Sequence, residues 1–215
     1  MTFDLRPCKI PDVANLFEQY HGYGSVGRLA VACFAVFEDS RPIAAYVWQP
    51  PPPGPADVLA PSAPWGVLAL SRMVAVPKAE RRLKHISKPL RQIMRSGLDR
   101  TRWPILVTYS DGGQGHTGYV YKCSGWTEDG TFPRKFYTDA HGARRSIYAN
   151  GAPSTGLTFG GTTLLTRWVH RLVPIGEELA YLNSHGWFNV PDPRGRTWRS
   201  GNLRNIIVHR PEGSE

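Results

Sequence analysis

Seven prolines fall between Pro50 and Pro64, and they divide the chain more sharply than any other feature. Proline fixes φ and has no N–H, so no strand ladder or helix interior runs through such a stretch, and a loop is expected there. The apolar runs on either side must then be separate elements. Upstream, Leu29 to Phe37 and Ile43 to Trp48 are β-branched or aromatic runs joined by the polar turn Glu38-Asp39-Ser40-Arg41, a hairpin pattern. Downstream, Trp65 to Val76 is a long strand stopped by Pro77.

The remaining segments fit around this frame. Phe3 to Ile10 reads as a first strand, and Pro11-Asp12 opens a helix with Val13, Leu16 and Phe17 on one face. A second helix is expected from about Lys88 to Gly97, a strand over Pro104 to Tyr109, a helix over Gly118 to Cys123, and an extended piece from Trp126. Alternating strands and helices over about 130 residues describe an α/β domain, a mixed central sheet flanked by helices. Residues 131 to 215, where only Thr162 to Val173 is amphipathic, read as a basic C-terminal extension packed on the domain of residues 1 to 130.

Composition narrows the class. With 41% hydrophobic residues the chain can bury a core, which excludes wholesale disorder. The longest apolar run has nine residues, Leu29 to Phe37, against the roughly 20 of a membrane-spanning helix. No basic-then-apolar leader opens the chain, so a soluble cytoplasmic protein without a membrane partner is expected. Cys8, Cys33 and Cys123 show no Cys-x-x-Cys spacing, so neither a disulfide scaffold nor a zinc ribbon is indicated.

Charge is unevenly placed within a net +9. Lys78 to Arg102 holds nine Lys or Arg against Glu80 and Asp99, and Arg194 to Arg210 holds five Arg and no acid. Such stretches suit a polyanion, because each neutralised phosphate releases counterions, but they also describe an ordinary solvated surface. Lys88, Arg91, Arg95, Arg196 and Arg199 are the candidate DNA contacts, with His21 and Tyr23 in Tyr20-His21-Gly22-Tyr23-Gly24 as groups that would fold over a base. Trp65 and Trp126 are further candidates to receive it.

The element order, with Tyr121 four residues before Gly125-Trp126, resembles the GNAT acyltransferases, in which that tyrosine commonly protonates the departing CoA thiolate. A phenol suits this task, although Tyr121 as a core aromatic fits the pattern equally. GNAT enzymes usually hold the CoA diphosphate with a glycine-rich loop. Here Pro77 to Ser87 contains no glycine, leaving Arg81, Arg82, Lys84 and the amides around Ser87 to hold an anionic donor, acyl-CoA or a relative.

A narrower resemblance rests on four pieces in order: Leu70-Ser71-Arg72-Met73, Ser87 at the head of a basic helix, Tyr109-Ser110-Asp111, and Gly115-His116-x-Gly118-x-Val120-Tyr121. Together they are similar to the Mom family of bacteriophage DNA-modification proteins, over about residues 20 to 130. The resemblance implies a GNAT-like transferase, phage- or prophage-encoded, that places a small acyl or acyl-derived (carbamoylmethyl) group on the exocyclic amine of adenine in DNA and shields it from restriction. It implies Arg72, Ser87, Tyr109, Asp111 and Tyr121 as site residues. Alternatives are an N-acetyltransferase acting on another amine and a DNA-binding protein without catalysis.

Physical chemistry gives each candidate a second reading. Arg72 and Asp111 form either a site or a structural ion pair, and the glycines after Asp111 favour an open cleft for it. Ser87 is equally a helix cap. His116, flanked by Gly115 and Gly118, is a candidate base. A metal held by His21, His116 and Asp111 is not supported by their spacing.

Overall fold

The computed structural model describes residues 3–21, 30–145, 148–149, 152–153, 155–189 and 207–209. Strand β1 (Asp4–Pro7) leads through a 3-10 turn into α1 (Ala14–Tyr20), and β2 (Ala32–Glu38) and β3 (Arg41–Gln49) form the expected hairpin. Then come α2 (Pro53–Leu59), β4 (Val67–Ala75), α3 (Ser87–Gln92), β5 (Ile105–Asp111), α4 (Tyr119–Cys123) and β6 (Thr127–Thr138). After β7 (Arg144–Arg145) and the short pair β8 (Tyr148–Ala149) and β9 (Ala152–Pro153), a long β10 (Thr158–Arg171) precedes α5 (Glu178–Ser184). A small pair, β11 (Trp187–Asn189) and β12 (Ile207–His209), follows.

The proline-rich stretch is not all loop. Pro53 and Pro55 occupy the first turn of α2, where backbone N–H groups have no intrahelical partner and proline loses nothing. The first helical bond is Ala56 N–H to Pro52 O, and Ala56, Leu59 and Ala60 then pack on the sheet.

Eight strands form one sheet in the order β1-β2-β3-β4-β5-β10-β6-β7. The expected boundary at residue 130 falls inside β6, and β10, drawn from the extension, lies between β5 and β6. Among the described residues only β4 and β5 run parallel, and they pair just at Val67/Ile105, Leu68/Leu106 and Ala69/Val107. Beyond Ala69 the register of β4 on β3 slips: Trp48 faces Leu70, but Val47 faces Arg72. Ser71 is the extra residue of this bulge, and its hydroxyl donates to Val47 O at 3.1 Å. A bulge bends its strand, so β4 and β5 part into a fork, with Thr108 Oγ1 donating to Leu70 O (3.0 Å) at its base.

Alternate residues at the fork serve different clusters. Leu68, Leu70 and Leu106 pack with Leu90, Ile93 and Met94 after the start of α3 and with Tyr121, Trp126 and Trp168. Val67, Ala69, Ile105, Val107 and Val169 pack with α2 on the opposite face. The basic stretch from Lys78 to Arg102 is correspondingly split. Arg81 and Arg102 are buried, Arg102 donating to Trp65 O (2.9 Å) with its guanidinium 3.8 Å from the Trp103 ring centroid. Lys88, Arg91 and Arg95 are exposed. No helix among the described residues is long and apolar enough to cross a membrane.

Candidate active site

The fork opens into a cavity of about 680 Å³ on the α2 face, and it gathers residues from distant parts of the chain. Arg72 comes from the bulged strand, Tyr109 and Asp111 from the end of β5, His116 from the following turn, and His21 from the end of α1. β5 alternation puts Tyr109 and Asp111 on one side, as their residue types at that spacing imply. Pro51, Pro52, Pro55 and Val58 form one apolar wall, and Phe132 and Pro133 of β6 another.

Asp111 lines this cavity yet is buried, 8% exposed. Its ion-pair partner is Arg144, whose Nη1 lies 2.6 Å from Oδ2, and not the Arg72 of the alternative ion-pair reading. Gly113 N–H (3.0 Å) and the Thr163 hydroxyl donate to Oδ1, and Gln114 Nε2 donates to Oδ2 at 3.2 Å. The carboxylate therefore organises the β5 end and the 112–114 turn, where an open cleft for Asp111 was expected. Arg72 Nη1 donates to Ser71 O at 2.8 Å, which folds the side chain back along the bulge.

His21 is held neutral. Burial, then the positive charges of Arg72 and His116, lower its pKa to about 4. Burial raises the Tyr109 hydroxyl pKa, opposed by Arg167 and Arg134, so the phenol stays protonated at neutral pH. The cavity thus offers a neutral imidazole, a phenol donor and cations. Among the described residues no three His, Cys, Asp or Glu stand together as a metal site.

Tyr121 lies outside the cavity, behind the fork. Its ring packs edge-on to Trp126 (6.0 Å between centroids) and against Trp168 (6.1 Å), while Trp126 stacks on Trp48. Burial raises its pKa, and the neighbouring Thr108 hydroxyl opposes this. Trp65 and Trp126 are buried, so neither stands where a base would enter the cavity.

The expected donor cradle is divided. Arg81 donates to Val76 O and Leu83 O, Arg82 pairs with Asp39 (2.8 Å), and Lys84 donates to Lys78 O and Arg81 O. The amides of Arg82 and Leu83 bind the Glu38 carboxylate at 2.9 and 2.6 Å. These groups clamp the loop to the β2–β3 turn. A diphosphate held by those amides does not fit, because a carboxylate of the chain already occupies them. Ser87 is the first residue of α3 rather than its cap, which is Ile86. With His85, Lys88, Arg91 and Lys122 it lines a separate hollow between α3 and α4, on the sheet face opposite the cavity. Lys88 and Arg91 are therefore not brought together with His21. Tyr23, Arg196 and Arg199 lie outside the described residues.

Sequence reasoning passed over Phe132, Arg134, Arg144 and Arg167. The period-2 alternation Phe132-x-Arg134-x-Phe136 was the available signal.

Parallel β4 and β5 parting after a bulge, with strands from beyond α4 completing the sheet, define a GNAT-like fold. Similar solved structures include a variant agmatine N-acetyltransferase (13% identity, TM-score 0.51, covering 80% of this chain and 100% of that one). The ribosomal-protein-alanine N-acetyltransferase of Brucella melitensis matches with 13% identity and TM-score 0.51, covering 79% and 99%. An N-acetyltransferase of Staphylococcus aureus Mu50 matches with 13% identity and TM-score 0.50, covering 80% and 100%. No curated protein matches the sequence significantly. The model of the Mom protein family matches residues 2–155, and the chain belongs to that family.

Proposed function

We propose that this protein is a GNAT-like transferase that modifies the exocyclic amine of adenine in DNA with a small acyl or acyl-derived group. The observation that carries the reading is the cavity at the fork. It joins Arg72, Tyr109, Asp111, His116 and His21 beneath apolar walls, in a chain of the Mom family. A base inside a duplex cannot reach such a recess, so the target is flipped out.

The exocyclic amine is a weak nucleophile because its lone pair is shared with the ring. As it bonds to the donor's carbon its N–H becomes acidic, and a neutral imidazole takes the proton; His21 is in that form at neutral pH. The Tyr109 hydroxyl orients the base edge, and Arg72 favours developing negative charge. The small-molecule donor is held from the opposite face. There Lys88, Arg91 and Lys122 attract an anionic handle by side-chain charge. Tyr121, behind the fork, keeps its proton for the leaving group.

Mass spectrometry of nucleosides from DNA of cells expressing the chain tests this. A new adenosine-derived nucleoside is expected, absent with Tyr109→Phe. Unmodified DNA together with acetylation of protein or small-molecule amines would replace this reading with the acetyltransferase one.

A further inference from the structure

We propose that the α2-side face of the β6–β10 ribbon is the track along which the DNA strand next to the flipped base lies. This rests on the DNA reading above and names the surface that serves it.

Residues 158 to 164 of β10 run past the end of β5, which pairs only with Leu165 to Arg171, so β6 and β10 continue there as a ribbon, joined at its far end by β7 on Tyr137 and Thr138. Register fixes what its two faces carry. Tyr109 and Asp111 oppose Arg167 and Leu165, and across β10 Leu165 opposes Phe132, Thr163 opposes Arg134, and Gly161 opposes Phe136. Opposed residues share a face, so Arg167, Phe132, Arg134 and Phe136 form one stripe that begins at the cavity and leads away from it. The Arg167 guanidinium lies 4.7 Å from the Phe132 ring centroid, and that of Arg144 lies 4.0 Å from Phe136.

Cations alternating with aromatic rings match a nucleotide strand, in which phosphates alternate with flat bases. Asp129 neutralises Arg167 and Asp111 neutralises Arg144. Among the described residues no carboxylate stands within ion-pair distance of Arg134, which is exposed. Phe132, 41% exposed, stands at the cavity mouth, where an unstacked base next to the target would meet it. Arg134 supplies the phosphate contact and Phe132 the stacking surface.

Lys135 provides an internal control. It carries the same charge one residue along but opposes Thr162, on the other face. The test is fluorescence anisotropy of the full chain with a labelled adenine-containing oligonucleotide, single-stranded and duplex, from about 50 to 200 mM salt. Arg134→Ala is expected to reduce the slope of log affinity on log salt by about 1, with Lys135→Ala leaving it unchanged. Phe132→Ala is expected to weaken single-strand binding roughly 5- to 150-fold. All three side chains are exposed, so circular dichroism is expected to match the wild type. Equal effects of Arg134→Ala and Lys135→Ala would overturn the track. So would wild-type affinity in both ribbon-face variants, while adenine modification by the wild type left the functional reading standing. Wild-type protein that bound no DNA would overturn both.

Discussion

Four donors converge on the two oxygens of Asp111, and one of them is a guanidinium. Removing the carboxylate strands Arg144, which is itself only 18% exposed at the side chain. Asp111→Ala is therefore expected to destabilise the fold by about 3 to 5 kcal/mol, with Arg144→Ala comparable and the double variant costing less than the sum. Denaturant titration reads this directly. His21 adds a pH dependence of definite sign. Its folded pKa of about 4 lies below the ordinary 6.5, so between these values the unfolded chain binds more proton than the native one. Its contribution is present above pH 6.5 and is lost as pH falls toward 4. His21→Asn should flatten that part of the stability–pH curve. The residue types at Arg72, Tyr109, Asp111 and His116 were legible because each stands in a short motif. The partner of Asp111 was not, since Arg144 lies 33 residues away and reaches it only through the β6–β7 pairing.

At the scale of elements, α4 shows why the glycine spacing before it exists. Gly118 sits at φ 72°, and a Cβ there would stand 2.2 Å from the Trp168 ring. That ring is fixed by its Nε1 donating to Ser110 Oγ at 3.0 Å. Gly118→Ala should lose about 2 to 5 kcal/mol, combining left-handed strain with overpacking. Gly115→Ala, at φ 73° with open space around it, should lose only about 1 kcal/mol. Thermal melts of the two variants separate the contributions. Tyr121→Phe keeps the ring between Trp126 and Trp168, so melting should barely move while turnover falls about 10²- to 10⁴-fold if its hydroxyl is the acid. The hairpin and α1 were readable from periodicity and turn chemistry. Helix α2 was not, because prolines that exclude a helix interior are also good first-turn residues. The Ser71 bulge leaves no trace in composition, since register belongs to two strands rather than one.

For the whole molecule, the sheet is a partition whose β4 and β5 diverge after Ala69. The cavity opens on the α2 face and the Ser87–Lys88–Arg91 hollow on the other, and β4 and β5 part between them. This two-sided arrangement is not written in any local pattern, because it depends on one strand, β10, supplied from beyond residue 131 to lie between β5 and β6. A polymer resting on one face leaves the other face clear. On the proposed reading, with DNA on the α2 face and the donor on the other, spent donor is exchanged for fresh donor while the DNA stays in place, and neither partner has to leave before the other arrives. Initial rates should accordingly give intersecting rather than parallel double-reciprocal lines. On plasmids at low conversion, modified adenines should be clustered on a few molecules instead of scattered one to each, so that the protein works along a strand as a reader turns pages, without putting down the book.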